Sequence, residues 1–182
     1  MNRMNIMMIG EDTMPQTDDS VVLIHDLPSL EGWLLPENWL VVDAKAKAAP
    51  CQGCFGCWLK TPGTCVLKDG LQHLGAAIAQ SRELILASRC CYGGFSPEVK
   101  RVLDRSISDS LPFFTYRGGK LHHILRYHRA PAQTVCFYGP MTDFERETAK
   151  RLAQANRVNM GNPSLRLLFA EGPEQVKEVL GV

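Results

Sequence analysis

The residue type whose spacing suggests chemistry is cysteine: Cys51, Cys54 and Cys57 are each separated by two residues, and Cys65 follows after a gap of seven. The segment reads Cys51-Gln52-Gly53-Cys54-Phe55-Gly56-Cys57-Trp58 and passes through Lys60-Thr61-Pro62-Gly63 to Cys65. Thiolates on a glycine-containing turn can converge on one centre, and four of them are what a [4Fe–4S] cluster takes. The final gap is longer than a compact cluster motif, so other readings stay open. Tetrahedral zinc is one, although zinc sites more often use two separated cysteine pairs or histidine. A disulfide or thiol relay, with Lys60 lowering a thiol pKa, is another. A turn that binds nothing and packs on its neighbours is the last. Phe55 and Trp58 would shield a centre or pack at an interface.

The remaining cysteines call for less. Cys90, Cys91 and Cys136 lie in or beside apolar runs, where a free thiol behaves as a small hydrophobe. His122, His123 and His128 form no metal pattern: adjacent residues point in different directions on a helix or strand, which favours surface or pocket positions.

The chain has 182 residues, 45% hydrophobic and 21% charged, with formal net charge +1. That suits one globular domain and gives no basic footprint for nucleic acid or a membrane surface. The apolar runs fall short of a bilayer span. Clustered cysteines in a chain without a leader-like start point to the reducing cytoplasm.

These residues need a scaffold. Residues 1–19 read as an N-terminal extension, disordered rather than contributing an added edge strand at Asn5–Ile9, and residues 20–182 as the domain. Short β-branched or apolar runs at Val21–Ile24, Leu40–Ala44, Leu84–Ala87, Gln133–Tyr138 and Leu165–Phe169 read as five strands. Helices are expected at Gly70–Gln80, from Ser96-Pro97 to about Ser108, at Thr142–Asn156 and at Pro173–Leu180. Thr142 and Glu145 have the spacing of a capping box. The segment between the first two strands is too short for a full crossover helix, and residues 120–129 form an excursion of undefined structure. Strands alternating with helices imply an α/β, three-layer, doubly wound parallel sheet of order 2-1-3-4-5, which binds ligands beyond the carboxyl ends of its strands. The loops Asp26–Pro28, Cys51–Cys65, Cys90–Pro97 and Gly139–Thr142 are expected to meet at that rim.

The run Cys51-x-Gly53-Cys54-x-x-Cys57, then Gly63-x-Cys65 and Asp69, then Tyr92-Gly93-Gly94-Phe95-Ser96-Pro97 with Lys100, Leu103, Asp104 and Arg105, resembles the flavodoxin-like NAD(P)H-dependent FMN reductases and the related iron–sulfur flavoproteins. The resemblance covers residues 50–108 most strongly. It implies a flavodoxin-like fold, FMN as cofactor, NAD(P)H as co-substrate, a small-molecule electron acceptor, and a homodimer or homotetramer. It places Cys91, Tyr92, Gly93, Gly94, Phe95 and Ser96 along the flavin ring and Gly139 on the facing loop. Lys100, Asp104 and Arg105 then take a structural or interface role.

One position departs from that pattern. After the first strand such proteins carry a glycine-, serine- and threonine-rich loop around the FMN phosphate, whereas this chain reads His25-Asp26-Leu27-Pro28-Ser29. An acidic loop with a proline is a poor anion cradle, which leaves Arg117, Lys120 or Arg126 as anchors from elsewhere. The alternatives to an FMN-dependent oxidoreductase are a flavodoxin-fold binding or assembly module that has lost FMN, and a non-catalytic electron carrier.

Overall fold

The computed structural model describes residues 19–182, so the expectations for residues 1–18 lie outside the described residues. Five parallel strands form the central sheet: β1 (Val21–His25), β2 (Trp39–Asp43), β3 (Glu83–Arg89), β6 (Ala132–Tyr138) and β7 (Leu165–Ala170), in the order β2-β1-β3-β6-β7. A separate antiparallel hairpin, β4 (Ser110–Arg117) and β5 (Lys120–Leu125), interrupts the chain between the third and fourth strands of that sheet. With the hairpin set aside, the order is 2-1-3-4-5. The topology is flavodoxin-like.

The sheet separates two cores by its period of two. A short helix α1 (Gly56–Leu59) lies in the cysteine loop, and Val22, Ile24, Leu84, Leu86, Val135 and Phe137 face α2 (Leu74–Gln80), α3 (Pro97–Leu103) and α4 (Asp143–Met160). Val21, Leu23, Ile85, Ala87, Cys136 and Tyr138 face the other way, toward α5 (Val176–Leu180) and toward Leu27 and Leu30. On this second face the connection from β1 to β2 contains no helix, as its prolines and its length require. Its apolar side chains cover the sheet instead. Helix α4 starts at a capping box in which the Thr142 hydroxyl accepts from the Glu145 amide, while the Glu145 carboxylate accepts from the Thr142 amide.

Two elements differ from the sequence reading. The helix after Ser96 is α-helical only to Leu103 and tightens into a 3₁₀ segment, Asp104–Asp109. There Ser106 and Ser110 donate their hydroxyls to the carbonyls of Leu103 and Ile107, competing with the α-helical ladder. The excursion at 120–129 is largely the return strand of the hairpin, whose partner is the Phe113-Phe114-Thr115-Tyr116 run. No helix among the described residues is long and apolar enough to cross a membrane.

Helix α2 lies against the 3₁₀ segment at Gly75. A Cβ there would sit 2.7 Å from the Ser106 carbonyl oxygen and 2.8 Å from the Asp109 amide nitrogen, both rigid backbone. Gly75→Ala is expected to destabilise the fold by about 1–3 kcal/mol, overpacking outweighing the better helix propensity of alanine. The check is the urea midpoint at constant m-value; an unchanged or higher midpoint would refute the close packing.

Candidate functional site

The rim at the carboxyl ends of β1, β3 and β6 gathers three of the four expected loops. Strand β3 runs into a tight turn in which Cys91 and Gly94 exchange backbone hydrogen bonds of 2.9 and 2.8 Å. Tyr92 and Gly93 have positive φ, 53° and 80°. Gly93 is required there, since a Cβ would lie 2.7 Å from the Glu145 carbonyl oxygen of α4. Tyr92 accepts the left-handed conformation while its side chain is 91% exposed, an unusual position for a large aromatic. Phe95 turns inward and stacks on Phe137 at 5.1 Å. Ser96 is fully buried, with its amide donating to Ser88 Oγ and its hydroxyl accepting the Val99 amide as the cap of α3. Gly139 lies on the same rim after β6, where its amide donates to Ala170.

Asp26 joins the strand ends. Its carboxylate accepts the Arg89 amide at 3.0 and 3.2 Å and the Tyr138 hydroxyl at 2.9 Å, and it is 7% exposed. Burial first, and then the adjacent Asp26, hold the Tyr138 phenol far above its ordinary pKa, so it remains a donor. His25 beside it is buried, and that burial lowers its pKa and favours the neutral ring.

The cysteine loop is the loop that does not join the rim. It folds back along α3 and docks on the 3₁₀ segment, at the opposite end of that helix from the Tyr92 turn. Cys51, Cys54, Cys57 and Cys65 all line one small cavity, together with Phe55, Val66, Leu67, Arg105 and Ile107. All four thiols are free, Cys51 and Cys54 exposed and Cys57 buried. Burial raises the Cys57 pKa, and the thiols of Cys65, Cys51 and Cys54 push it the same way. Among the described residues no three His, Cys, Asp or Glu side chains gather to hold a metal ion, so neither the zinc nor the iron–sulfur reading finds a formed ligand set here.

What fixes this loop is Arg105, to which the family resemblance gave only a general structural or interface role. Its side chain is fully buried and forms a two-pronged pair with Asp69 at 2.7 and 2.8 Å, while donating to the carbonyls of Ala49 at 2.8 Å and Leu67 at 3.3 Å. Those hydrogen bonds hold the Asp69 pKa down to about 2. Arg105 also neighbours Cys65, placing positive charge at the edge of the thiol cavity. Lys100 and Asp104, by contrast, form an exposed pair one turn apart.

A larger cavity of about 550 Å³ lies along α3 between the two regions. Gly94 and Phe95 line one end, Lys100 and Leu103 follow along α3, and Ile107 and His123 stand at the other, with Asn156 and Asn159 of α4 opposite. Ile107 also lines the thiol cavity and so forms a shared wall. Trp58 donates its indole N–H to the Ile107 carbonyl at 3.2 Å and packs between Phe55, at 5.1 Å, and His123, at 5.0 Å. His123 therefore takes a pocket position, whereas His122 is buried and bonds Asn159 at 3.2 Å. Asp109, in the same wall, has its pKa pushed up to about 7 because burial penalises its charge more than Ser110, Arg126 and Arg117 offset.

The residues fit a flavin unevenly. The glycine turn and Tyr92 leave the rim open to a planar ring, but the β1–β2 connection holds a carboxylate where the fold would hold phosphate. The three basic residues considered as substitute anchors lie on or just after the hairpin, not at the rim. Arg117 donates to the carbonyls of His123 and Asn159, Arg126 donates to Ser108, and Lys120 opens β5 beside the hairpin turn.

No protein-family model matches the chain, and no curated protein matches it. Among solved structures, one similar chain is described as an FMN-dependent NADH-azoreductase from Bacillus anthracis str. Ames Ancestor in complex with FMN. It is 13% identical, with a TM-score of 0.49, over 90% of this chain and 92% of that one. The fold assignment rests on the strand order and register of the chain itself.

Two substitutions test the buried charges. Asp69→Asn leaves Arg105 buried without its counter-ion and is expected to cost about 3–5 kcal/mol. It should also open the Cys51–Cys65 segment to limited proteolysis; a loop that stays protected would contradict the role given to Arg105. Asp109 ionises less readily folded than unfolded, where the reference pKa is 3.8, so folding loses stability as pH rises from about 4 through about 7. Asp109→Asn removes that loss. Its thermal midpoint should match the parent near pH 4 and exceed it at pH 8, by on the order of 1–3 kcal/mol in stability. Parallel pH profiles would refute the assignment.

Proposed function

We propose that the protein is an oxidoreductase that takes electrons from NAD(P)H, uses FMN as cofactor, and delivers them to a small-molecule acceptor or to the Cys51–Cys54–Cys57–Cys65 centre. The observation that carries this reading is the shared cavity, which runs from the Tyr92 turn to the Ile107 wall of the thiol pocket. The flavin, when bound, supplies hydride and single-electron chemistry; the chain supplies position, polarity and exclusion of water. Tyr92 offers an exposed aromatic face, and Gly93 and Gly94 allow close approach of the backbone. Lys100, His123, Asn156 and Asn159, with Asp104, Ser106, Asp109 and Ser110, set polar groups among Phe95, Leu103, Ile107, Leu125, Leu152 and Met160, a mixed lining that an organic ligand can use.

In this reading Cys51, Cys54, Cys57 and Cys65 would supply the four thiolates of a [4Fe–4S] cluster once the loop draws them together, and the cluster would supply single-electron transfer. Arg105 places its guanidinium beside Cys65. A reducing cytoplasm suits thiols without disulfides, and the exposed Phe113, Phe114, Tyr116 and Leu121 of the hairpin suit a homodimer or homotetramer. The second reading, a flavodoxin-fold binding module without flavin, is favoured by one observation, the carboxylate at the phosphate position.

Anaerobic purification with flavin, iron and acid-labile sulfide quantified together separates them. The oxidoreductase reading expects bound or bindable FMN, NAD(P)H oxidation that depends on it, and iron and sulfide that disappear in Cys54→Ser. A colourless protein that neither binds added FMN nor quenches its fluorescence would leave the module reading. Flavin without iron or sulfide would remove the cluster alone.

A further inference from the structure

A sheet of order 2-1-3-4-5 diverges between β1 and β3, and the crevice there is where such folds receive an anionic ligand group on free amides and a helix N-terminus. In this chain every one of those provisions is altered. The Arg89 amide, which ends β3 and points across the crevice, already donates to both oxygens of Asp26. The Tyr138 hydroxyl reaches in from β6 and donates to the Asp26 carboxylate and to its carbonyl, at 2.9 and 3.1 Å. The Asp26 amide donates to Ala87. Pro28 has no N–H to offer, and the Ser29 hydroxyl accepts from the Glu31 amide. No helix follows β1 to present its N-terminus. Lys45, which could have supplied charge, donates to the Leu27 carbonyl, and Asp43 at the end of β2 adds a second carboxylate to this edge.

We propose that Asp26 is a built-in anion that fills the ligand-phosphate position of the fold, so that any flavin the protein takes is recognised through its ring system and gains nothing from its phosphate. Asp26 is in this sense a specificity-determining residue, and the ligand class it selects is flavin held without phosphate contacts. The ligand identity rests on the function proposed above; the filled anion position does not. A carboxylate that engages both the Arg89 amide and the Tyr138 hydroxyl leaves neither donor for phosphate, and it repels a second anion at the same place. Arg89 is the group that could still attract one, since its own side chain is exposed at the rim beside Gly139.

The test has two arms. In the first, the full chain is titrated with FMN and with riboflavin, following flavin fluorescence. The two dissociation constants are expected to agree within about threefold, whereas even two charge-assisted hydrogen bonds to phosphate would separate them by about a hundredfold. FMN binding tighter by tenfold or more overturns the proposal, and loss of that preference in Arg89→Ala would name the residue responsible. The second arm needs no flavin: the thermal midpoint is measured in inorganic phosphate against chloride of equal ionic strength. The parent protein should show no difference, and Asp26→Ser, which empties the position but leaves the Arg89 amide and Tyr138 hydroxyl, should be stabilised by phosphate. Phosphate stabilisation of the parent equal to that of the variant overturns the proposal, whether or not Asp26→Asn or Asp26→Ser folds as well as the parent. Failure of both flavins to bind would remove the oxidoreductase reading, while the phosphate arm would still decide the role of Asp26.

Discussion

A guanidinium cannot be buried without acceptors, and Arg105 finds all of its partners in the segment that precedes β3. Its full burial makes the pair with Asp69 a constraint on geometry more than a source of net stability, because the desolvation cost offsets much of the attraction. What the pair does achieve is placement. The carbonyls of Ala49 and Leu67 and the carboxylate of Asp69 bracket the cysteines in sequence, so one side chain of the 3₁₀ segment closes the loop at both ends. The thiol cavity, its shared wall at Ile107 and the path of the chain into α2 all follow from that single fixed point.

The same segment explains why the helix after Ser96 changes character. An α-helix continued to Ser108 would turn successive side chains by a constant angle, whereas the 3₁₀ segment advances faster and its serines take backbone carbonyls as partners. Arg105 thereby faces inward, Ile107 faces two cavities, and Ser108 and Asp109 meet Gly75 of α2. Small residues at these contacts are a packing requirement.

Much of this was legible in the sequence. The five short apolar runs identified the sheet and its order, because parallel strands buried on both faces need little else to be recognised. The caps at Ser96 and Thr142 located two helix starts, since a side-chain oxygen before a helix leaves a local signature. The hairpin was not legible: Phe113 to Tyr116 are all exposed and show no in-out alternation, and the polar return strand carries two adjacent histidines, so the turn at Gly118-Gly119 has no clear strand pattern on either side. Nor was the docking of the cysteine loop away from the rim. That depends on one long-range ion pair, which neither periodicity nor spacing encodes. The acidic character of the loop after β1 was visible, but its partners were not, because Arg89 and Tyr138 are brought to Asp26 only by sheet register.

The two candidate redox features therefore stand at opposite ends of α3 and are related through a cavity. Their separation would matter little if the space between them were packed solid, since the groups would then be independent. It is instead an open cleft with Phe95 at one end and Ile107 at the other, roofed by the hairpin through His123 and Leu125. The ring contacts Phe55–Trp58 and Trp58–His123 run from the thiol pocket to the same cleft. That cleft is bounded by Gly94 and Phe95 on the Tyr92 side and by Ile107, the residue it has in common with the thiol cavity, on the other. The hairpin inserted after the 3₁₀ segment, an addition to the doubly wound plan, supplies His123 and Leu125 to the wall of that cleft, so the element least visible in the sequence lines the space between the two regions.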